Sequence, residues 1–97
     1  MNMPSNHKKV ILITGASRGI GAFTATLLAQ QGHQIVINYA RNDLEANQVV
    51  EKITAAGGTA SAFKADISQS HQVERLFDYV MQNYGRMDIL INNAGIM

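Results

Sequence analysis

Cysteine is absent from the 97-residue chain. That absence excludes disulfides, thiolate catalysis and cysteine-ligated metal in one step. Proline occurs once, at Pro4, and charged residues make up only 15%, where soluble domains usually carry about 25%. Lys and Arg number 8 against 7 Asp and Glu, a net +1, so no strong field of one sign recruits nucleic acid or an anionic membrane. Long apolar runs are missing too. The first, Val10 to Ile13, is far too short for a signal-peptide core or a bilayer span. His7, His33 and His71 are scattered without metal-ligand spacing. What is plentiful is hydrophobic side chain, 46% of the total, which excludes a disordered tail and sets much of the chain against protein rather than water. The size allows one domain, or part of one. A soluble cytoplasmic chain with no nucleic-acid or membrane partner is expected.

The apolar residues alternate between short runs and helical spacing. Val10-Ile11-Leu12-Ile13 is continuous and mostly β-branched, as a strand covered on both faces should be. Ile20, Phe23, Leu27 and Leu28 then share one helical face, and Gly32 stands where a C-terminal cap belongs. Ile35 to Ile37 is a second strand. Leu44, Val49, Val50 and Ile53 follow at helical spacing, with Asp43 as a candidate N-cap, until Gly57-Gly58 break the segment. A weaker strand, Thr59 to Lys64, leads to Asp66. Ser68 or Ser70 could cap a third helix with Val73, Leu76, Phe77, Val80 and Met81 inward, ended by Gly85. Met87 to Ile91 completes a fourth strand.

The order β-α-β-α-β-α-β predicts an α/β fold, a Rossmann-type doubly wound parallel sheet with strand order 3-2-1-4. The fourth strand would then lie at an edge although it is apolar like an interior strand. Residues 1–7 are expected to form a loose arm, and residues 8–97 the N-terminal portion of a larger dinucleotide-binding domain.

The strongest local signal is Thr14-Gly15-Ala16-Ser17-Arg18-Gly19-Ile20-Gly21, between a strand and a helix. Helix N-termini present unpaired N–H groups and partial positive charge, which suits phosphate. Gly15 permits the tight turn, Gly19 lets a pyrophosphate approach the backbone, Gly21 allows close helix–strand packing, and Ser17 is placed for phosphate contact. No Lys-Ser/Thr pair follows, so a nucleoside-triphosphate loop is not expected.

With Asp66 after the third strand and Asn92-Asn93-Ala94-Gly95 after the fourth, the chain resembles the short-chain dehydrogenase/reductase family. The stretches TGASRGIG (14–21), NYARN (38–42) and NNAGI (92–96) are most similar to its 3-oxoacyl-acyl-carrier-protein reductase-type members. The resemblance implies that the Gly15–Gly21 turn holds a nicotinamide dinucleotide's phosphates, with Ile20 near the nicotinamide end. It implies that Asp66 accepts from the adenine amino group with Ile67 beside the ring, and that Asn93, Ala94 and Gly95 line the adenosine ribose.

Charge then bears on which cofactor binds. An acid about 20 residues past the glycine motif normally accepts the ribose 2′-hydroxyl of NAD. Here Asn38, Tyr39 and Ala40 occupy that stretch, while Arg18 and Arg41 flank it. Two guanidinium groups suit a 2′-phosphate, so NADP(H) is favoured over NAD(H). Asp43 opposes that expectation if its carboxylate reaches the ribose.

The family's catalytic tyrosine and lysine form Tyr-x-x-x-Lys. Tyr39 is followed four on by Asp43, Tyr79 by Asn83 and Tyr84 by Asp88, so no catalytic residue is assigned in this chain. The expected function is the cofactor-binding portion of an NADP(H)-dependent oxidoreductase interconverting a small carbonyl and an alcohol. The alternative is a nucleotide-binding module, or a fragment, without activity of its own. Family members often assemble, so a homo-oligomer is also expected.

Overall fold

The computed structural model describes residues 8–94; the expected arm at 1–7 lies outside the described residues. Four strands, β1 (Val10–Ile13), β2 (Gln34–Tyr39), β3 (Thr59–Lys64) and β4 (Ile89–Ile91), alternate with helices α1 (Gly19–Gln30), α2 (Asp43–Ala55) and α3 (Ser70–Tyr84). The sheet is parallel throughout and ordered β3-β2-β1-β4, the predicted Rossmann-type arrangement. Ile13 pairs with Ile37 on one side and Ile91 on the other, so three strands end level with one another.

Alternation along the strands divides the core. Ile11, Ile13, Ile35 and Ile37 face α1 and α2, meeting Ala25, Ala29 and Ile53. Val10, Leu12 and Val36 face α3, meeting Leu76 and Val80. Every residue of β1 is buried, because it has strands on both edges and helices on both faces, as β2 also has. Each such aliphatic side chain contributes about 1.5–3 kcal/mol of burial free energy.

Helix faces differ from expectation. Ile20 is 78% exposed, Phe23 66% and Leu27 43%, and only Leu28 of the predicted stripe packs on the core. The inward face of α1 is instead Gly21, Ala25 and Ala29. These small residues recur every four positions, one helical face, and let α1 lie close on the sheet; bulkier residues were pushed to the flank. In α2, Leu44 is likewise exposed while Ala46 and Ile53 are buried. In α3, Leu76 and Val80 are buried as predicted, while Phe77 and Met81 flank them outward.

The caps are also reassigned. Asn42, not Asp43, caps α2, accepting from the Glu45 backbone N–H at 3.0 Å. Neither Ser68 nor Ser70 caps α3, whose N-cap position is Gln69; the Ser68 hydroxyl is committed to Asp66. Strand β4 is shorter than Met87 to Ile91 because Asp88 serves as its anchor. The Asp88 carboxylate accepts from the Val10 N–H at 2.8 Å and from Arg86 Nε at 2.9 Å, and these bonds hold its pKa below the ordinary value. Strand β4 forms the edge, with Ile89 and Leu90 substantially exposed. No helix among the described residues is long and apolar enough to cross a membrane.

Candidate functional site

The carboxyl ends of the strands converge where β1 stands between β2 and β4, the point at which strand order reverses. Open α/β sheets bind ligands there. Thr14, the first residue after β1, ties the glycine turn to the segment after β4. Its N–H donates to the Ile91 carbonyl at 3.0 Å, and its hydroxyl donates to Asn92 Oδ1 at 3.1 Å. The same hydroxyl accepts from the Ala94 N–H at 3.1 Å. Asn93 Nδ2 adds a bond to the Gly15 carbonyl at 3.0 Å. On the other side, the Ala16 N–H donates to the Asn38 carbonyl at 3.0 Å, fastening the turn to β2.

The three motif glycines play distinct steric parts. Gly15 adopts φ +63°, and a Cβ there would stand 2.9 Å from the Ala94 Cβ. A Cβ on Gly21 would come within 2.7 Å of Asn93 Nδ2 and of the Gly15 carbonyl oxygen. Both positions are packed solid. Gly19 is different: it adopts φ +62°, yet no atom lies within 4 Å of where its Cβ would be. The turn is therefore closed at its two ends and open in the middle, where the first N–H groups of α1 begin. Those groups precede the first helical bonds and point outward from the helix start. Ser17, Arg18 and Gly19 border a cleft whose far wall includes Glu45 in the first turn of α2.

At the end of β2, Tyr39 is buried and its hydroxyl donates to Asp43 Oδ1 at 2.7 Å. That bond, assisted by burial and the carboxylate charge, raises the tyrosine pKa above its ordinary value. Lys64 Nζ lies 3.8 Å from the same carboxylate oxygen. Arg41 is exposed between Tyr39 and Asp43. Asp66 accepts from the Ser68 hydroxyl at 2.7 Å and the Ser68 N–H at 3.0 Å, both on Oδ1. These two bonds, with a smaller contribution from the Arg41 charge, lower its pKa, so it is ionised at neutral pH. Ile67 is half-buried against the α3-side core.

Gly15, Ser17, Arg18, Gly19, Ile20, Gly21, Tyr39, Arg41, Asp66, Ile67, Asn93 and Ala94 thus all lie at or just beyond the strand ends. Ile20, 78% exposed, stands on the solvent side of the helix start. Gly95 lies outside the described residues. Among those described, no three His, Asp or Glu side chains group as a metal site requires.

Two residues that the sequence placed only within its motifs are part of the frame. Asn38 is buried, and its Nδ2 donates to the Ala65 carbonyl at 3.0 Å, bridging β2 to the segment that carries Asp66. An amide inside an apolar strand was the available signal, because a buried polar group needs a partner. Thr14 is the other, and its signal was a lone hydroxyl at the end of β1. Thr14→Val should remove both side-chain bonds and cost about 1–3 kcal/mol, since it leaves the Ala94 N–H unpaired. Denaturant midpoints and faster hydrogen exchange at Ala94 would register the loss.

A family model described as short chain dehydrogenase matches residues 9–97. The chain belongs to the short-chain dehydrogenase family. This short-chain dehydrogenase sequence is 50% identical over 88 residues to an uncharacterised oxidoreductase of Methylorubrum extorquens, covering 91% of this chain and 36% of the relative. It is 44% identical over 88 residues to a 3-oxoacyl-[acyl-carrier-protein] reductase of Synechocystis, again covering 91% and 36%. Among solved structures, a metagenomic short-chain oxidoreductase in complex with NADP superposes with a TM-score of 0.85 at 40% identity, over 91% of this chain and 39% of that one. The chain spans about a third of the length of the curated relatives it matches.

Proposed function

We propose that this chain is the cofactor-binding portion of an NADP(H)-dependent short-chain oxidoreductase that interconverts a carbonyl and an alcohol. The observation that carries the proposal is the open middle of the glycine turn. Gly19 leaves free space over the helix start while Gly15 and Gly21 are locked against Ala94, Asn93 and the turn's own backbone. That is the shape a diphosphate needs in order to reach backbone N–H groups. The residues present fit a nicotinamide dinucleotide, which when bound would supply or accept the hydride.

The chain's own residues bind and orient. The N–H groups of the turn and Ser17 hold the phosphates, and Arg18 and Arg41 grip a 2′-phosphate. Asp66 is ionised, and its Oδ2 makes no bond among the described residues, leaving it free to accept from the adenine amino group with Ile67 beside the ring. Asn93 and Ala94 line the ribose. A solved relative holding NADP at 40% identity supports the cofactor class, and the Arg18 and Arg41 guanidinium groups, with no salt bridge among the described residues, support the phosphorylated form.

The three tyrosines have other duties. Tyr39 is bonded to Asp43, Tyr79 stacks on Phe63 with ring centroids 4.7 Å apart, and the Tyr84 and Ser61 hydroxyls share a 2.7 Å bond. A proton relay therefore comes from residues other than these, and the chain alone should bind without turning over a keto substrate. A cytoplasmic setting and self-association belong to the same proposal, the second supported by the exposed apolar edge at Ile89 and Leu90.

Selective binding stabilises the folded state. NADPH at a hundredfold excess over its Kd should add about 2.7 kcal/mol, read as a rise in thermal midpoint. No rise at any concentration would overturn the assignment.

A further inference from the structure

We infer that Tyr39 sets cofactor choice indirectly, by tethering Asp43 away from the ribose position. Asp43 is the nearest acid downstream of β2, at the start of α2, whose Glu45 lines the cleft opposite the glycine turn. A carboxylate so placed would accept from a ribose 2′-hydroxyl and repel a 2′-phosphate. In the fold its Oδ1 is engaged by the Tyr39 hydroxyl at 2.7 Å and faced by Lys64 at 3.8 Å, so the side chain is turned toward the phenol and the end of β3. The phenol that holds it is buried, with its ring fixed beside the β2 end, whereas Lys64 is exposed and contributes little. The tyrosine is thus the stronger of the two restraints. The hydrogen bond to Asp43, with burial and the carboxylate charge, raises its pKa, so it stays a donor across the physiological range.

The tether also keeps Arg41 free of a neighbouring carboxylate. It sits two residues from each end of the Tyr39–Asp43 bond, and a carboxylate released from the phenol would be free to pair with it and withdraw its charge from a phosphate. Tyr39 is accordingly a positioning residue, acting through Asp43 rather than on the ligand.

The tether matters only if the dinucleotide sits as proposed above, and the test separates the two. NADPH and NADH are each titrated into the wild-type chain and into Tyr39→Phe, which keeps the buried ring and removes the hydroxyl. Circular dichroism checks that both remain folded. The expected result is that Tyr39→Phe tightens NADH by about tenfold while NADPH is unchanged or weaker, the size of one hydrogen bond to a charged group. Adding Asp43→Asn should return NADH to its wild-type affinity. A merely structural role for Tyr39 would weaken both dinucleotides together and leave their ratio fixed. An unchanged ratio, or a gain that survives Asp43→Asn, would overturn the tether and leave the binding site standing. Absence of binding by the folded wild-type chain would overturn the site and the tether together.

Discussion

Gly21→Val should abolish dinucleotide binding and lower stability by about 3 kcal/mol, the upper range for overpacking a filled site. The new Cβ would stand 2.7 Å from the Gly15 carbonyl oxygen and 2.9 Å from the Ala16 Cα. Both are backbone atoms, and neither can swing aside. The turn that would have to move is tied to Ala94 and Asn93 on one side and to Asn38 on the other, so displacement propagates into the phosphate loop. Gly19→Ala provides the contrast. Its Cβ meets nothing within 4 Å, so the stability cost is limited to holding alanine at φ +62°, about 1–2 kcal/mol. Its methyl would nevertheless occupy the space left for a phosphate. Thermal melts and NADPH titrations should therefore separate the pair: Gly21→Val loses fold and binding together, and Gly19→Ala loses chiefly binding. Equal stability losses at the two positions would contradict this division of roles.

Arg41→Ala should weaken NADPH at least tenfold and leave NADH unchanged. The exposed guanidinium lies just past β2 with no salt bridge among the described residues. A guanidinium–phosphate contact is charge-assisted, contributing about 1.5–3 kcal/mol. Because NADH lacks the 2′-phosphate, the whole effect should fall on one cofactor. Raising the salt concentration should narrow the difference, since exposed charges are screened within about 10 Å at 0.1 M. Fluorescence titration of the two reduced dinucleotides reads both quantities. Equal weakening would assign Arg41 to the general field of the site rather than to phosphate recognition.

The strand order and the position of the site were legible because each rests on a strong local pattern. Continuous aliphatic runs such as Val10–Ile13 require cover on both faces, and glycines at 15, 19 and 21 between strand and helix leave few alternatives. The helix faces were less legible. In α1, two stripes compete at helical spacing, and large side chains at Ile20, Phe23 and Leu27 suggested the wrong one. Gly21, Ala25 and Ala29 prevail because close approach to the sheet demands small residues, a tertiary requirement that side-chain hydrophobicity does not encode. The caps failed for a similar reason. Asp43 has the right chemistry for an N-cap, but Tyr39, one strand end away, claims its carboxylate and leaves Asn42 to cap. The bonds of Thr14 and Asn38 were not legible because their partners, Ala94 and Ala65, are distant in sequence.

The central claim is that backbone N–H groups at the start of α1 hold a dinucleotide's diphosphate. Amide shifts in nitrogen–proton correlation spectra, followed as NADPH is added, test it residue by residue. The account predicts the largest changes at residues 17–21, with smaller ones at Arg41, Asp66 and Ala94. Changes centred on the opposite end of the sheet, around His33 and Thr59, with residues 17–21 unmoved, would contradict it.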